Sequence, residues 1–244
     1  MKNLSLTFMM TVAVALFSCS TESESTPEAQ VGVEFNTVKS ALTTQAISKE
    51  TPLKQAAAGT LSFSTGHIAI SRLEFEAETD NDSIEIEFEL KQNTLIDFAT
   101  GTTTPDINFI SIPAGNYEEV EVEIELSEGS EQPAILLFGT YVAPDGVEHN
   151  IRFEFNSEET FEVEREGLIS FGEAQVAIAQ ITFDPVAWFI SVTDEQYANA
   201  TKNEEGVIVV SSTENTEIFD VVADGLDLAS DVEMEDDEDD QDEE

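Results

Sequence analysis

Several segments of this chain alternate strictly between apolar and acidic residues. Over residues 120–126, Val, Ile and Leu occupy one parity and Glu121, Glu123 and Glu125 occupy the other. The same alternation recurs over residues 84–90. Because successive side chains of a strand point to opposite faces, a period of two predicts strands with one apolar and one acidic face. The apolar face must then pack on a core while the acidic face stays in water.

The same reasoning predicts a series of strands across residues 59–184. They are expected at 61–63, 67–76, 83–91, 107–112, 118–126, 134–142, 148–156, 160–165 and 173–183, separated by turn residues at 80–82, 100–101, 112–115, 128–129, 143–146 and 166–167. Pro144-Asp145-Gly146 is the strongest hairpin signal, and the fully apolar stretch 134–138 predicts a central strand. Many short strands without intervening helices predict an all-β fold, an antiparallel β-sandwich of about 7–9 strands.

One or two short helices are expected after the last of these strands. Asp184 suits a helix cap and Pro185 a first helical position, and Trp188 is expected to plug the end of the core rather than stack on a ligand. Residues 212–225 predict a second, capped helix, with Gly225 directly after its C-terminal end.

The composition divides the chain into four parts. A signal peptide is expected at 1–18, Cys19 and a flexible lead-in at 19–58, the β-sandwich at 59–228 and a disordered acidic tail at 229–244. Residues 31–35 could form a short strand inside the lead-in.

The chain carries an extreme negative charge. Nine Lys and Arg residues stand against 52 Asp and Glu residues, which gives a formal net charge of −43. Such a surface repels nucleic acid and anionic lipid headgroups, so no nucleic-acid partner is expected. The composition is typical of proteins that work in salty water, where ions screen the self-repulsion.

The acidic strand faces pose a physical problem. Like charges directly opposite each other on neighbouring strands are destabilising. Therefore either the glutamate-rich strands are not neighbours, or salt or divalent cations screen them. Asp80-Asn81-Asp82 lacks the glycine and the distal glutamate of a calcium loop, so no specific metal site is expected. Weak association of divalent cations with an acidic face stays open.

The single cysteine lies at the end of an N-terminal apolar stretch. Residues 4–17 have the length of a signal-peptide core and are too short to span a membrane. Leu16-Phe17-Ser18-Cys19 resembles a bacterial lipobox, which implies cleavage before Cys19 and attachment of acyl chains that anchor the protein in the membrane. The alternative is an ordinary cleaved signal followed by a free cysteine. The Ser- and Glu-containing residues 20–27 resemble a surface-export signal, so the outer membrane or the cell surface is the expected location.

Most catalytic chemistries lack a sequence signal here. His67 and His149 have no second His or Cys at ligand spacing, so no transition-metal site and no cofactor are expected. No Gly-x-Ser-x-Gly, Walker or Rossmann pattern occurs. Glycosidases need only two carboxylates, so the sequence leaves that class open.

A group of short motifs resembles a known type of envelope protein. They are Gly59-Thr-Leu-Ser-Phe63, the strand over 68–75, Ile96-Asp-Phe-Ala-Thr-Gly101, Ile112-Pro-Ala-Gly-Asn-Tyr117, Phe138-Gly-Thr-Tyr141 and Phe183-Asp-Pro-Val-Ala-Trp188. In this order they resemble Bacteroidetes cell-envelope lipoproteins with a prealbumin-like β-sandwich domain of unknown function. The resemblance implies an extracytoplasmic binding or structural role and carries no catalytic residues.

Three functions follow as hypotheses. The first is a non-enzymatic, lipid-anchored binding or adhesion-like module whose ligand or partner is unknown. The second is a glycan-binding accessory protein of a polysaccharide-uptake system, which an exposed Trp or Tyr platform would favour. The third is a hydrolase, which a cleft with two facing carboxylates would favour.

Overall fold

The computed structural model describes residues 27–44, 58–79, 85–127, 132–156, 160–226 and 230–236. These residues form thirteen strands and three short helices. The strands are β1 (Glu28–Thr37), β2 (Leu42–Thr43), β3 (Thr60–Glu78), β4 (Glu85–Asp97), β5 (Thr103–Thr104), β6 (Ile110–Pro113), β7 (Gly115–Leu126), β8 (Ile135–Val142), β9 (Glu148–Phe155), β10 (Thr160–Phe171), β11 (Val176–Phe183), β12 (Ile208–Val210) and β13 (Ser230–Asp236). The helices are α1 (Pro185–Trp188), α2 (Asp194–Asn199) and α3 (Thr216–Leu226).

The strands build two sheets, which confirms the all-β sandwich with short C-terminal helices. The smaller sheet has the order β13-β11-β1-β6. The larger sheet follows the path β10-β7-β3-β8-β9-β12, with β2 and β4 also paired to β3 and β5 paired to β4. The sheets are mixed rather than purely antiparallel, because β1 pairs parallel with β11 and β12 pairs parallel with β9. Parallel pairing needs a long connection, and both of these pairs have one.

Strand β3 organises the larger sheet. Its first half pairs with β8 and its second half with β7, while β4 pairs along its other edge. The two separate strands expected at 61–63 and 67–76 are therefore one continuous strand. The polar residues between them are absorbed by a register shift between Phe63 and Thr65. Gly66 allows the close approach there, since a Cβ atom would lie 2.0 Å from the carbonyl oxygen of Leu136.

One buried apolar cluster joins both sheets and the helices. The alternation on β7 is confirmed, because Val120, Val122 and Ile124 are each 1% exposed. Trp188 is buried as expected and lies 6.3 Å from Phe153, ring centre to ring centre. The apolar side chains of the alternating segments thus form the core.

The turn chemistry is confirmed at the hairpin between β8 and β9. The amide of Gly146 donates to the carbonyl oxygen of Ala143 at 2.8 Å, and the Asp145 carboxylate accepts from the amide of Val147 at 3.0 Å. The expected central strand at 134–138 is also confirmed, because β8 pairs with β3 on one side and β9 on the other.

The turn expected at 166–167 is wrong, whereas the turn expected at 112–115 lies between two strands. Residues 166–167 lie inside β10, which continues to Phe171 through a register shift between Glu166 and Ile169. The turn at 112–115 joins strands of different sheets, since β6 belongs to the smaller sheet and β7 to the larger. The hydroxyl of Tyr117 donates to the carbonyl oxygen of Pro113 at 2.7 Å and fixes that crossing.

The start of α1 follows the sequence, whereas α3 begins at Thr216 rather than near residue 212 and also differs at its end. The Asp184 carboxylate accepts a hydrogen bond from the amide of Ala187, with Pro185 in the first turn, which confirms the predicted cap. The prediction that Gly225 follows the last helix is wrong, because α3 includes it. The glycine is required by packing, since a Cβ atom would lie 2.7 Å from the carbonyl oxygen of Trp188.

The expected boundaries of the β domain are too narrow at both ends. β1, inside the predicted flexible lead-in, lies between β11 and β6, and β2 pairs with β3. The disorder expected for 229–244 is wrong for β13, which pairs antiparallel with β11. Its sequence alternates between acidic residues and Val232 and Met234, a strand pattern that the high charge obscured. Residues 237–244 lie outside the described residues.

Candidate functional site

A surface rich in glutamate covers one side of β4, β3 and β7. This acidic face consists of Glu74, Glu76, Glu78, Glu87, Glu89, Glu119, Glu121, Glu123 and Glu125. The residues between them in sequence point into the core, as Leu73 and Phe75 do at 0% exposure. The glutamates themselves are exposed or half-buried.

The glutamate-rich strands are direct neighbours, so the first of the two alternatives drawn from the sequence is wrong. Glu74 lies opposite Glu89 of β4 on one side and Glu123 of β7 on the other. Glu76 is in the same way opposite Glu87 and Glu121. Strand β10 pairs with the other edge of β7, and its residues 162, 164 and 166 lie opposite residues 123, 121 and 119. Directly opposed side chains have Cβ atoms about 5 Å apart, so this face carries a strong repulsion that needs compensation.

Arg72 supplies part of that compensation. Its guanidinium donates to Glu125 at 3.0 Å and forms ion pairs with Glu74 and Glu123. Glu89 approaches the same guanidinium at 4.0 Å and pairs with Lys91 at 2.6 Å. One arginine therefore bridges carboxylates from three strands.

The pKa of Arg72 reflects this position. Desolvation by burial acts to lower its pKa, but the hydrogen bond to Glu125 and the negative charges of Glu123, Glu74 and Glu125 outweigh it. The net pKa lies above the ordinary value. The cation is thus held firmly in its charged form.

The acidic face can attract cations by its charge, but a specific metal site also requires several ligand side chains grouped around one point. Among the residues that the structure describes, no group of three or more His, Cys, Asp or Glu side chains is placed to hold a metal ion. The considered calcium segment, Asp80-Asn81-Asp82, lies outside the described residues, as does the lipidation candidate Cys19.

The two histidines lie in unrelated settings. His67 is half-buried, with Nε2 3.3 Å from the carbonyl oxygen of Pro133, and it lines a cavity of about 470 Å³ together with Thr94 and Leu95. His149 stacks on Tyr141, with ring centres 6.3 Å apart.

A polar cluster around Asp194 escaped the sequence analysis. Its carboxylate accepts from the hydroxyls of Tyr141, at 2.8 Å, and Thr44, and from the amide of Gly59 at 3.3 Å. Burial, with the hydrogen bond and charge of Asp194, raises the pKa of Tyr141 far above its ordinary value. Thr193-Asp-Glu-Gln196 is a capping-box pattern that could have located the start of α2. Partners more than fifty residues away could not be found from it.

Every Trp and Tyr of the chain lies in the interior. Trp188, Tyr117, Tyr141 and Tyr197 are at most 2% exposed. An exposed Phe109, at 54%, stands beside a second cavity of about 430 Å³ that is also lined by Glu34 and Asp106.

Comparison of the chain with family models, curated proteins and solved structures gave no match. Within the described ranges, none of the helices has the length and apolar character needed to cross a membrane.

Proposed function

We propose that this protein is a non-enzymatic, lipid-anchored module of the outer membrane or cell surface that binds or supports a partner outside the cytoplasm. Its resemblance to Bacteroidetes envelope lipoproteins is part of this proposal. The anchor is the acylated Cys19, and the module is the β-sandwich that follows it.

The observation that carries the binding or structural role is the burial of Trp188 and all three tyrosines. These side chains form the usual stacking surfaces for sugars, and here they stabilise the core instead. Their position favours a module that meets its partner through strands and charges over one that stacks on glycan rings.

Metabolic labelling tests the anchor. The full-length chain, expressed with a labelled fatty acid in a bacterium that processes lipoproteins, should carry the label and sediment with membranes. Cys19→Ala should lose both, whereas Ser18→Ala, which keeps a small residue before the cysteine, should retain them. A wild-type chain that carries no label would rule out lipid anchoring through Cys19.

The glycan-binding alternative has one observation in its favour. Phe109 is exposed beside the 430 Å³ cavity and could present an apolar ring to a sugar. A glycan array probed with the mature chain, with Cys19 replaced by Ser to keep it soluble, tests this. Binding that Phe109→Ala abolishes, while Phe138→Ala at another exposed ring leaves it unchanged, would replace the first proposal by this one.

The hydrolase is the lesser alternative. Glu34 and Asp106 line the same cavity, and a glycosidase needs two carboxylates that flank the bond it cleaves. Both side chains are exposed, however, and a catalytic acid usually needs burial to keep its proton at neutral pH. Glycoside hydrolysis that Glu34→Gln removes would establish this function.

A further inference from the structure

We infer that the outer edge of β4 is a docking site for an extended partner segment in which Lys or Arg alternates with apolar residues. The segment would add to the larger sheet as a further strand. This inference rests on the proposed binding role and names the chemistry of the partner.

The first observation is an open strand edge. β4 pairs with β3 from one end to the other. On its opposite side, the described partner is β5, which reaches Leu95 and Ile96 and goes no further. Residues 85–94 therefore present an edge without a partner strand in the described part of the chain. Such an edge offers backbone N–H and C=O groups at the spacing that an added strand requires.

The second observation is an incomplete core along that edge. Ile86, Phe88 and Leu90 pack against the main apolar cluster but stay half-buried. Their partners in register on β3 are Ala77, Phe75 and Leu73, which are at most 1% exposed. The inner strand is covered because it has neighbours on both sides. One more strand beside β4, with apolar residues on the core side, would cover the outer row in the same way.

The third observation selects the charge of the partner. A strand added beside β4 would place its outward-facing residues opposite Glu87 and Glu89, both of which are exposed. Opposite charges stabilise such cross-strand pairs and like charges destabilise them. A second copy docking through its own β4 would bring two glutamate-rich rows together, each with Lys91 as its one basic residue over 85–94. A basic strand therefore complements the charge of this edge better than a second copy does.

Binding of a synthetic peptide tests this inference. The probe is a fluorescent, end-capped peptide of about eight alternating Lys and Val residues, the length of a typical strand. It is titrated with the mature Cys19→Ser chain at about 0.05 M and about 0.5 M NaCl. We expect saturable binding that weakens with salt, and new protection from hydrogen exchange in β4. Glu87→Lys should weaken binding about fivefold, while the matched control Glu204→Lys, an exposed site away from this face, should not.

Several outcomes would overturn the inference. A peptide of the same composition with its lysines and valines in two blocks should bind weakly; equal binding would reduce the effect to unspecific attraction by a polyanion. Protection in another strand would place the docking elsewhere. Slow exchange in β4 before peptide is added would show that the edge is already covered within the chain. Self-association through this edge in sedimentation would show that a second copy occupies it. None of these results depends on whether Cys19 is acylated, so the lipid anchor is tested separately by the labelling experiment.

Discussion

Arg72 on β3 and Glu123 on β7 form an ion pair across neighbouring strands, in a surface where most directly opposed residues carry the same charge. The same guanidinium also contacts Glu74 and Glu125. Replacing it by glutamine should leave these carboxylates crowded and uncompensated. We expect Arg72→Gln to lower the free energy of unfolding by about 2 kcal/mol at low salt, measured by urea denaturation.

The control for this change is Arg152→Gln. Arg152 lies on β9 and, among the residues described, pairs with the carboxylate of Glu154 at 2.7 Å, so its loss should cost about 1 kcal/mol or less. Equal effects of the two substitutions would show that Arg72 is an ordinary surface pair. The difference between the variants should also shrink at about 1 M NaCl, where charges are screened beyond about 3 Å.

Salt should stabilise the whole protein. The glutamate-rich strands are neighbours, so we expect screening by salt or divalent cations, the second alternative drawn from the sequence, to add to the compensation by Arg72. Raising NaCl from about 0.05 M to about 1 M should raise the Tm by roughly 5 °C. Glu78→Gln, which removes one charge opposite Glu119, should raise the Tm at low salt, whereas Glu204→Gln should change it little. A Tm that does not respond to NaCl would contradict this account.

The sequence predicted which residues would be buried far better than which strands would be neighbours. Alternation over residues 120–126 assigned each side chain to a face, because that is a local property of extended backbone. It could not show that β4, β3 and β7 lie side by side. Strand order is set by the whole chain, and opposed glutamates even argue against the order found.

The smaller sheet and the Asp194 cluster were missed for the same reason. The sequence allowed a short strand over residues 31–35 inside the flexible lead-in, but it did not predict that this segment pairs with β11. Asp194 brings together Thr44 and Tyr141, which are 150 and 53 residues away. Contacts between residues so far apart in sequence depend on the packing of the whole chain, and no local sequence pattern predicts them. The acidic face could be foreseen from the sequence, whereas the open edge of β4 could not.

Gly225 should tolerate no side chain. In an open helix, alanine would be favoured over glycine by about 1 kcal/mol. Here the new methyl group would meet the backbone of Trp188, so we expect Gly225→Ala to lower the free energy of unfolding by about 1–3 kcal/mol. The single tryptophan reports the change, because its fluorescence should shift toward that of an exposed indole. Gly115→Ala is the matched control. The atom nearest to a Cβ added at Gly115 is 3.9 Å away, in the ring of Tyr117, so this change should be near neutral. A stabilised Gly225→Ala would mean that α3 packs differently.

The contact between Tyr141 and Asp194 should show energetic coupling. Tyr141→Phe removes one hydrogen bond, while Asp194→Ala leaves the buried hydroxyls of Tyr141 and Thr44 without their acceptor. We expect the second change to cost more, about 2–3 kcal/mol against about 1 kcal/mol. A double-mutant cycle by thermal or urea unfolding should give a coupling of about 1 kcal/mol or more. Additive effects would show that the pair does not stabilise the fold.

Alkaline solution should unfold this protein through its tyrosines. Burial raises the pKa of Tyr117, Tyr141 and Tyr197 in the folded state, with the hydrogen bond to Asp194 adding to the effect at Tyr141. A folded-state pKa above the unfolded value gives stability that is fully present below pH of about 10 and lost as the pH rises further. Each tyrosine should then remove about 1.4 kcal/mol per pH unit. Phenolate absorbance should therefore appear together with unfolding, and Tyr141→Phe should make the loss less steep. Phenolate formed while the protein is still folded would contradict the burial of these rings.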